Sequence, residues 1–139
     1  MPQSLGNNEV IKRTFGAVIC SAWLLASGSS LAHHSLSGVY DIRGSGELTG
    51  VVKRLVFMNP HGAMTLEVKN DDGTTTEWVM TTGSANVLAS LGFGRDGPNT
   101  VVAGDVVTIR YFPARNGKPI GFIRSITLPS QRTIEFKAE

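Results

Sequence analysis

The sequence contains a single cysteine in 139 residues, Cys20, and this residue lies inside an apolar run near the N-terminus. If that run is removed as an export signal, the mature chain has no cysteine, which excludes both a disulfide framework and a thiolate metal site. Charge is also scarce, since Asp, Glu, Lys and Arg make up 17% of the chain and leave a net charge of +2. This balance argues against nucleic-acid binding, which needs a clustered cationic face.

The N-terminal segment has the order of a secretory signal peptide. The basic pair Lys12–Arg13 precedes an apolar run, Phe15–Leu31, and small residues stand at Ser30 and Ala32. This order predicts a signal peptide at residues 1–32 that is cleaved after Ala32. The alternative is an uncleaved membrane anchor, but the run is 17 residues long, and a spanning helix prefers about 20 mostly apolar residues. We therefore expect a periplasmic protein with no stable membrane span after cleavage.

The mature chain has the length of one small domain. We expect a flexible leader at residues 33–46 and a β-rich domain at 47–139. The predicted strands are residues 47–57, 64–69, 74–80, 106–112, 120–128 and 133–136, and a helix with Ser84 as its N-cap is predicted at 84–91. Apart from the short segment 133–136, the order is three strands, a helix and two strands, which is typical of the OB-fold, a five-stranded barrel. The alternative is a small sandwich, which usually needs about seven strands. The predicted core consists of Val51, Leu55, Leu66, Val68, Trp78, Leu88, Val107, Ile109 and Ile123.

Several short motifs recur in this order in one group of small exported bacterial proteins. They are Ala32-His33-His34-Ser35, Asn59-Pro60-His61, Gly83-Ser84, Gly104-Asp105-Val106-Val107 and Pro113-Ala114-Arg115. The chain resembles domain-of-unknown-function family 6152 over nearly all of its mature length. The resemblance implies an exported location and a small β-rich domain, and it implies no particular activity.

The histidines are the residues with the clearest chemistry, and the mature chain has three of them, His33, His34 and His61. Cleavage after Ala32 would give His33 a free amine beside its imidazole, and His61 could then add a third nitrogen. Such ligands suit Cu(II) and Zn(II), with copper favoured, and the thioether of Met58 could serve Cu(I). The alternative is that His33 and His34 are solvated in the leader, that His61 stabilises a turn, and that Met58 fills the core.

Three further residues are candidates for a binding surface. Asn59 precedes a proline and has a structural alternative, because asparagine starts turns well. Trp78 could stack on a ligand, as aromatic residues of OB-folds do, or could belong to the core. Arg115 could bind an anion, or could only pair with an acid on the surface.

The sequence shows no catalytic constellation. Ser35 and Ser84 lack the setting of an activated nucleophile. We therefore expect a non-catalytic periplasmic binding or accessory domain for an unidentified ligand or protein partner, with no certain cofactor. The alternative function is a copper or zinc protein that uses the mature N-terminal histidine and the Asn59-Pro60-His61 loop.

Export can be tested on protein from its native host. We expect the mature chain to begin at His33, because a signal peptidase cuts after a small-x-small sequence such as Ser30-Leu31-Ala32. N-terminal sequencing or intact mass measures this directly. A cytosolic protein that still begins at Met1 would contradict the prediction.

Overall fold

The computed structural model describes residues 35–137. In this range the chain forms two short helices and six strands, which we number in chain order. They are α1 (Ser35–Val39), β1 (Gly46–Val56), β2 (Ala63–Lys69), β3 (Thr75–Thr81), α2 (Ala85–Ser90), β4 (Val106–Pro113), β5 (Ile120–Thr127) and β6 (Thr133–Glu135). Every predicted strand is present, and each of its ends lies within one residue of the predicted position. The pattern of the leader did not predict α1.

The strands close into a barrel. The order in the sheet is β3-β2-β1-β4-β5-β6, with an additional pairing between β3 and β5. That pairing is parallel and joins Val79–Thr81 to Ile120–Phe122, while all other neighbours are antiparallel. Together with α2 between β3 and β4, this confirms the prediction of a five-stranded OB-like barrel. The short β6 pairs with Ser125–Thr127 at the C-terminal end of β5. The residues of β5 that pair with β3, Ile120–Phe122, lie at its other end.

The barrel interior is the hydrophobic core. Five of the predicted core residues are buried, namely Leu66, Leu88, Val107, Ile109 and Ile123. Three others, Leu55, Val68 and Trp78, are partly buried and pack against them. Further buried residues of this cluster are Val52, Met64, Met80, Phe93, Val101, Tyr111, Ile126, Leu128, Ile134 and Phe136.

The prediction of Val51 as a core residue is wrong. Val52 is the residue that fills the core, with 1% of its surface exposed. A register shift between Val52 and Arg54 in the pairing with β2 explains why. Strand residues alternate between faces, and a bulge inserts one extra residue. Val52 and Leu55 therefore both face inward although three positions separate them.

The phenol of Tyr111 is held inside one end of the barrel. Its ring lies 5.3 Å from that of Trp78, centroid to centroid, and only 8% of the residue is exposed. Gly46 and Gly121 leave room for it, since a Cβ at either position would overlap the Tyr111 ring. Burial raises the pKa of Tyr111 above its usual value, because the phenolate is poorly solvated there.

The raised pKa of Tyr111 predicts that the protein loses stability in alkaline solution. Above pH about 10 the unfolded chain loses the Tyr111 proton while the folded chain keeps it, so the free energy of unfolding falls as the pH rises. We expect Tyr111→Phe, which cannot ionise, to show a shallower decline between pH 9 and 11 in denaturant titrations. The same comparison at pH 7 is the control for the loss of the hydroxyl. Equal declines in the two proteins would contradict the prediction.

Candidate functional site at the loop between β1 and β2

The loop between β1 and β2, residues 57–62, is fastened to the start of α2. The backbone N–H of Ala85 donates to the Met58 carbonyl at 3.0 Å and to Asn59 Oδ1 at 3.1 Å. This N–H is one of those that a helix start leaves without a partner inside the helix. Ser84 supplies the N-cap, since its hydroxyl oxygen accepts from Val87 N at 3.3 Å. The loop and the helix therefore satisfy each other's polar groups.

Gly62 fixes the C-terminal end of the same loop through its backbone hydrogen bonds. Gly62 N donates to the Gly83 carbonyl at 3.1 Å, and the Gly62 carbonyl accepts from Thr82 N at 3.0 Å. A Cβ on Gly62 would lie 2.5 Å from the Val56 carbonyl oxygen and 2.7 Å from Thr82 Oγ1. Only glycine permits this close approach. The loop is consequently held at both of its ends.

The tip of this fastened loop exposes apolar side chains. Phe57 is 41% exposed and Met58 is 55% exposed, and His61 is exposed beside them. The alternative interpretation of Met58 as core filler is therefore wrong. We name Phe57, Met58 and His61 the loop surface.

An aromatic cluster anchors His61 to the seam where β3 meets β5. The His61 and Phe122 rings meet edge to face, with centroids 6.1 Å apart. Phe122 also meets the Tyr40 ring, at 5.7 Å. The Tyr40 hydroxyl lies 2.7 Å from Thr81 Oγ1. His61 is thus oriented by an apolar contact, while its ring stays accessible to a ligand.

Arg115 holds the segment that carries Tyr40. Its Nε donates to the Ser37 carbonyl at 2.8 Å, and its backbone N–H donates to the Val39 carbonyl at 2.9 Å. The guanidinium also lies 3.9 Å from Asp41 Oδ1. These bonds fit the position, because the last carbonyls of a helix have no partner within it. Of the two interpretations of Arg115, the geometry favours the structural one.

The other candidate residues occupy separate places. The side chain of Asn59 has its partner in α2, across the loop, rather than in the backbone that directly follows it. Trp78 packs against the core and the Tyr111 ring. His33 and His34 lie outside the described residues. Within residues 35–137, no three His, Cys, Asp or Glu side chains lie close enough together to hold a metal ion.

No helix in the described part of the chain is both long and apolar enough to cross a membrane.

The arrangement at the loop offers binding contacts. A neutral imidazole can donate one hydrogen bond and accept another or coordinate a metal, and Phe57 and Met58 supply apolar area and a polarizable sulfur.

The family assignment rests on residues 22–124, which match the model described as Family of unknown function (DUF6152). The chain belongs to this DUF6152 family. No curated protein matches the chain. The DUF6152 match includes the loop surface, Tyr40, Arg115 and Phe122, so the whole anchoring arrangement lies within the family's domain.

Sequence reasoning missed Tyr40 and Phe122 as determinants of the site. Tyr40 stands in a glycine-rich stretch with no strand or helix period, and it pairs as an isolated bridge with Ala114. Phe122 lies on β5 with an ordinary strand pattern. Its contact with His61 comes from the closure of the barrel, and no local motif carries that information.

The fastening of the loop can be tested at Asn59. We expect Asn59→Ala to lower the free energy of unfolding by about 0.5–1 kcal/mol, the lower part of the range for one hydrogen bond, because the Ala85 N–H keeps the Met58 carbonyl as a second acceptor. Asn59→Asp keeps an oxygen acceptor and should recover most of this loss. Chemical denaturation of the three proteins measures the effect. If the alanine variant were as stable as the parent chain, the bond to Ala85 would not contribute.

Proposed function

We propose that this protein is an exported, non-catalytic binding or accessory domain that contacts its partner through the loop surface of Phe57, Met58 and His61. The observation that carries this proposal is the exposure of Phe57 and Met58 on a loop that is hydrogen-bonded at both ends. Functional side chains are commonly presented on loops that a rigid scaffold holds in place. Phe57 and Met58 are adjacent, and a contiguous exposed apolar patch can mark an interaction site.

The fold supports the same location. In OB-folds the loop between the first two strands takes part in ligand binding, and it is this loop that carries Phe57, Met58 and His61. Fold analogy alone does not identify a ligand. The export component of the proposal is supported by the N-terminal sequence pattern.

Site-specific crosslinking in the exported protein tests the loop surface. A photoreactive amino acid at Met58 should give one discrete adduct in the native host, and Phe57→Ser in the same chain should remove most of it. The matched control is the same group at Asp71, an exposed residue on the hairpin at the other end of β2. Equal adducts from both positions, or none from Met58, would contradict the proposal.

A second candidate function is copper binding by His33, His34 and His61. The specific observation in its favour is that His61 and Met58 are both exposed on one loop, so a nitrogen and a thioether ligand are accessible to a metal. These ligand types suit Cu(II) and Cu(I) respectively. The part played by His33 and His34 rests on the sequence.

Titration of the processed protein tests the copper proposal. We expect Cu(II) to bind more tightly than Zn(II), and to bind less tightly as acid protonates the imidazoles. His61→Ala should weaken binding at least tenfold, and so should an extra Gly-Ser before His33, which moves the free amine. Calorimetry with Cu(II) alone measures both. If neither change alters the affinity, these histidines are not the ligands.

A further inference from the structure

A groove crosses the outer face of the barrel over β1, β4, β5 and β6. It has a volume of about 300 Å³ and is lined by Glu47, Thr108, Arg110, Ser125, Thr127 and Thr133. Every one of these side chains is polar. The groove lies on the sheet, apart from the loop surface, and it plays no part in the function proposed above.

The register of the strands arranges these side chains in two rows. In the first row Glu47 is opposite Arg110, Arg110 is opposite Ser125, and Ser125 is opposite Glu135. The second row is made entirely of threonine, with Thr49, Thr108, Thr127 and Thr133 as successive partners across the four strands. Since neighbouring strands lie about 4.8 Å apart, each row is roughly 14 Å long.

The threonine hydroxyls are already joined in pairs. Thr49 Oγ1 lies 2.7 Å from Thr108 Oγ1, and Thr127 Oγ1 lies 2.9 Å from Thr133 Oγ1. Within a pair, one hydroxyl donates to the other and the acceptor keeps its own proton to donate outward. Each pair therefore offers both a donor and acceptor sites to a ligand, together with two methyl groups.

Ser125 forms the floor of the groove. Only 4% of this residue is exposed, although its position on β5 faces outward like those of Arg110 and Thr127. Among the residues that the structure describes, no side chain hydrogen-bonds to its hydroxyl. The residue lines the cavity, so a ligand in the groove could hydrogen-bond to this hydroxyl.

The charges at one side of the groove select against anions. Arg110 Nε donates to Glu47 Oε2 at 2.7 Å, and Glu135 lies opposite Ser125 at the other end of the same row. This row therefore carries two acids and one base, so a phosphate or a nucleic-acid backbone bound along it would meet net negative charge. The groove is lined by polar residues, with apolar area only from groups such as the threonine methyls, so it offers little to a lipid or an apolar peptide.

We propose that this groove binds a neutral oligosaccharide laid across the four strands. Hydroxyls that both donate and accept match the hydroxyl groups of a sugar chain, and the threonine methyl groups match its C–H faces. The arginine–carboxylate pair can hold two adjacent sugar hydroxyls through one donor and one acceptor. A volume of about 300 Å³ lies at the small end of the range for small-molecule sites, which suits a short segment of chain.

Backbone amide spectra of the ¹⁵N-labelled protein test this proposal. Cellotetraose, maltotetraose and chitotetraose serve as neutral probes, and an oligogalacturonate of the same length serves as the anionic probe. We expect at least one neutral probe to cause saturable shifts at residues 108–110, 125–127 and 133–135, and the anionic probe to bind more weakly. No saturable shift with any neutral probe, or tighter binding of the anionic one, would overturn the proposal.

Two variants locate the interaction. Thr108→Val combined with Thr127→Val keeps the shape and removes a hydroxyl from each pair, so we expect about tenfold weaker binding, as the loss of one or two hydrogen bonds predicts. Ser125→Ala is a second, independent variant should the double change disturb the fold. Thr65→Val, on β2 and outside the groove, is the matched control and should bind as the parent does. Unchanged affinity in both groove variants would place the sugar elsewhere.

Discussion

The parallel contact between β3 and β5 is the interaction on which the rest of the structure depends. It involves three residues from each strand, Val79–Thr81 and Ile120–Phe122. Without it the sheet would remain open and the inward side chains of β2 and β3 would lose their cover from β5. With it, Thr81 and Phe122 become neighbours, and this brings the loop between β1 and β2 close to the segment that carries Tyr40.

The site at the loop is therefore built from parts that are distant in the chain. The Tyr40 hydroxyl reaches Thr81 across 41 positions, and Arg115 reaches Ser37 across 78. Neither contact is needed to form a barrel of five strands. Both contacts hold the segment around Tyr40 against the closed barrel. His61 packs next to this segment, and the barrel exposes His61 together with the two apolar residues of the loop surface.

Much of the fold could be predicted from the sequence because the strands carry a clear pattern. Alternating residues in Ala63–Lys69, the Asp72-Gly73 turn and the Ser84 N-cap each reflect a local rule, and the structure follows all three. Val51 was misassigned because a bulge reverses the alternation, and a bulge leaves no mark in a run of valine, lysine and arginine. The helix α1 escaped prediction because its five residues include Gly38 and lack an apolar period.

The candidate site was predicted only in part, for a different physical reason. His61 and Asn59 stand out by residue type, so the sequence alone directs attention to the loop that the structure shows to be fastened and exposed at its tip. Their partners, Phe122 and Ala85, are ordinary residues that become important through contacts between distant elements. Arg115 was picked out for its charge, yet its main contacts are with the carbonyls of α1, and a carbonyl has no sequence signature. In the same way, the row of four threonines depends on the register of four strands, and the sequence pattern does not predict that register.

The closing contact also has a consequence for how the molecule reaches this state. Neighbouring strands such as β1 and β4 join residues that are 59 positions apart, and domains dominated by such distant pairings fold slowly. Until β3 and β5 meet, each presents an unpaired edge that could join another chain. The three-residue contact thus does more than seal the core, because it covers part of two strand edges at which copies of the protein could aggregate while they fold.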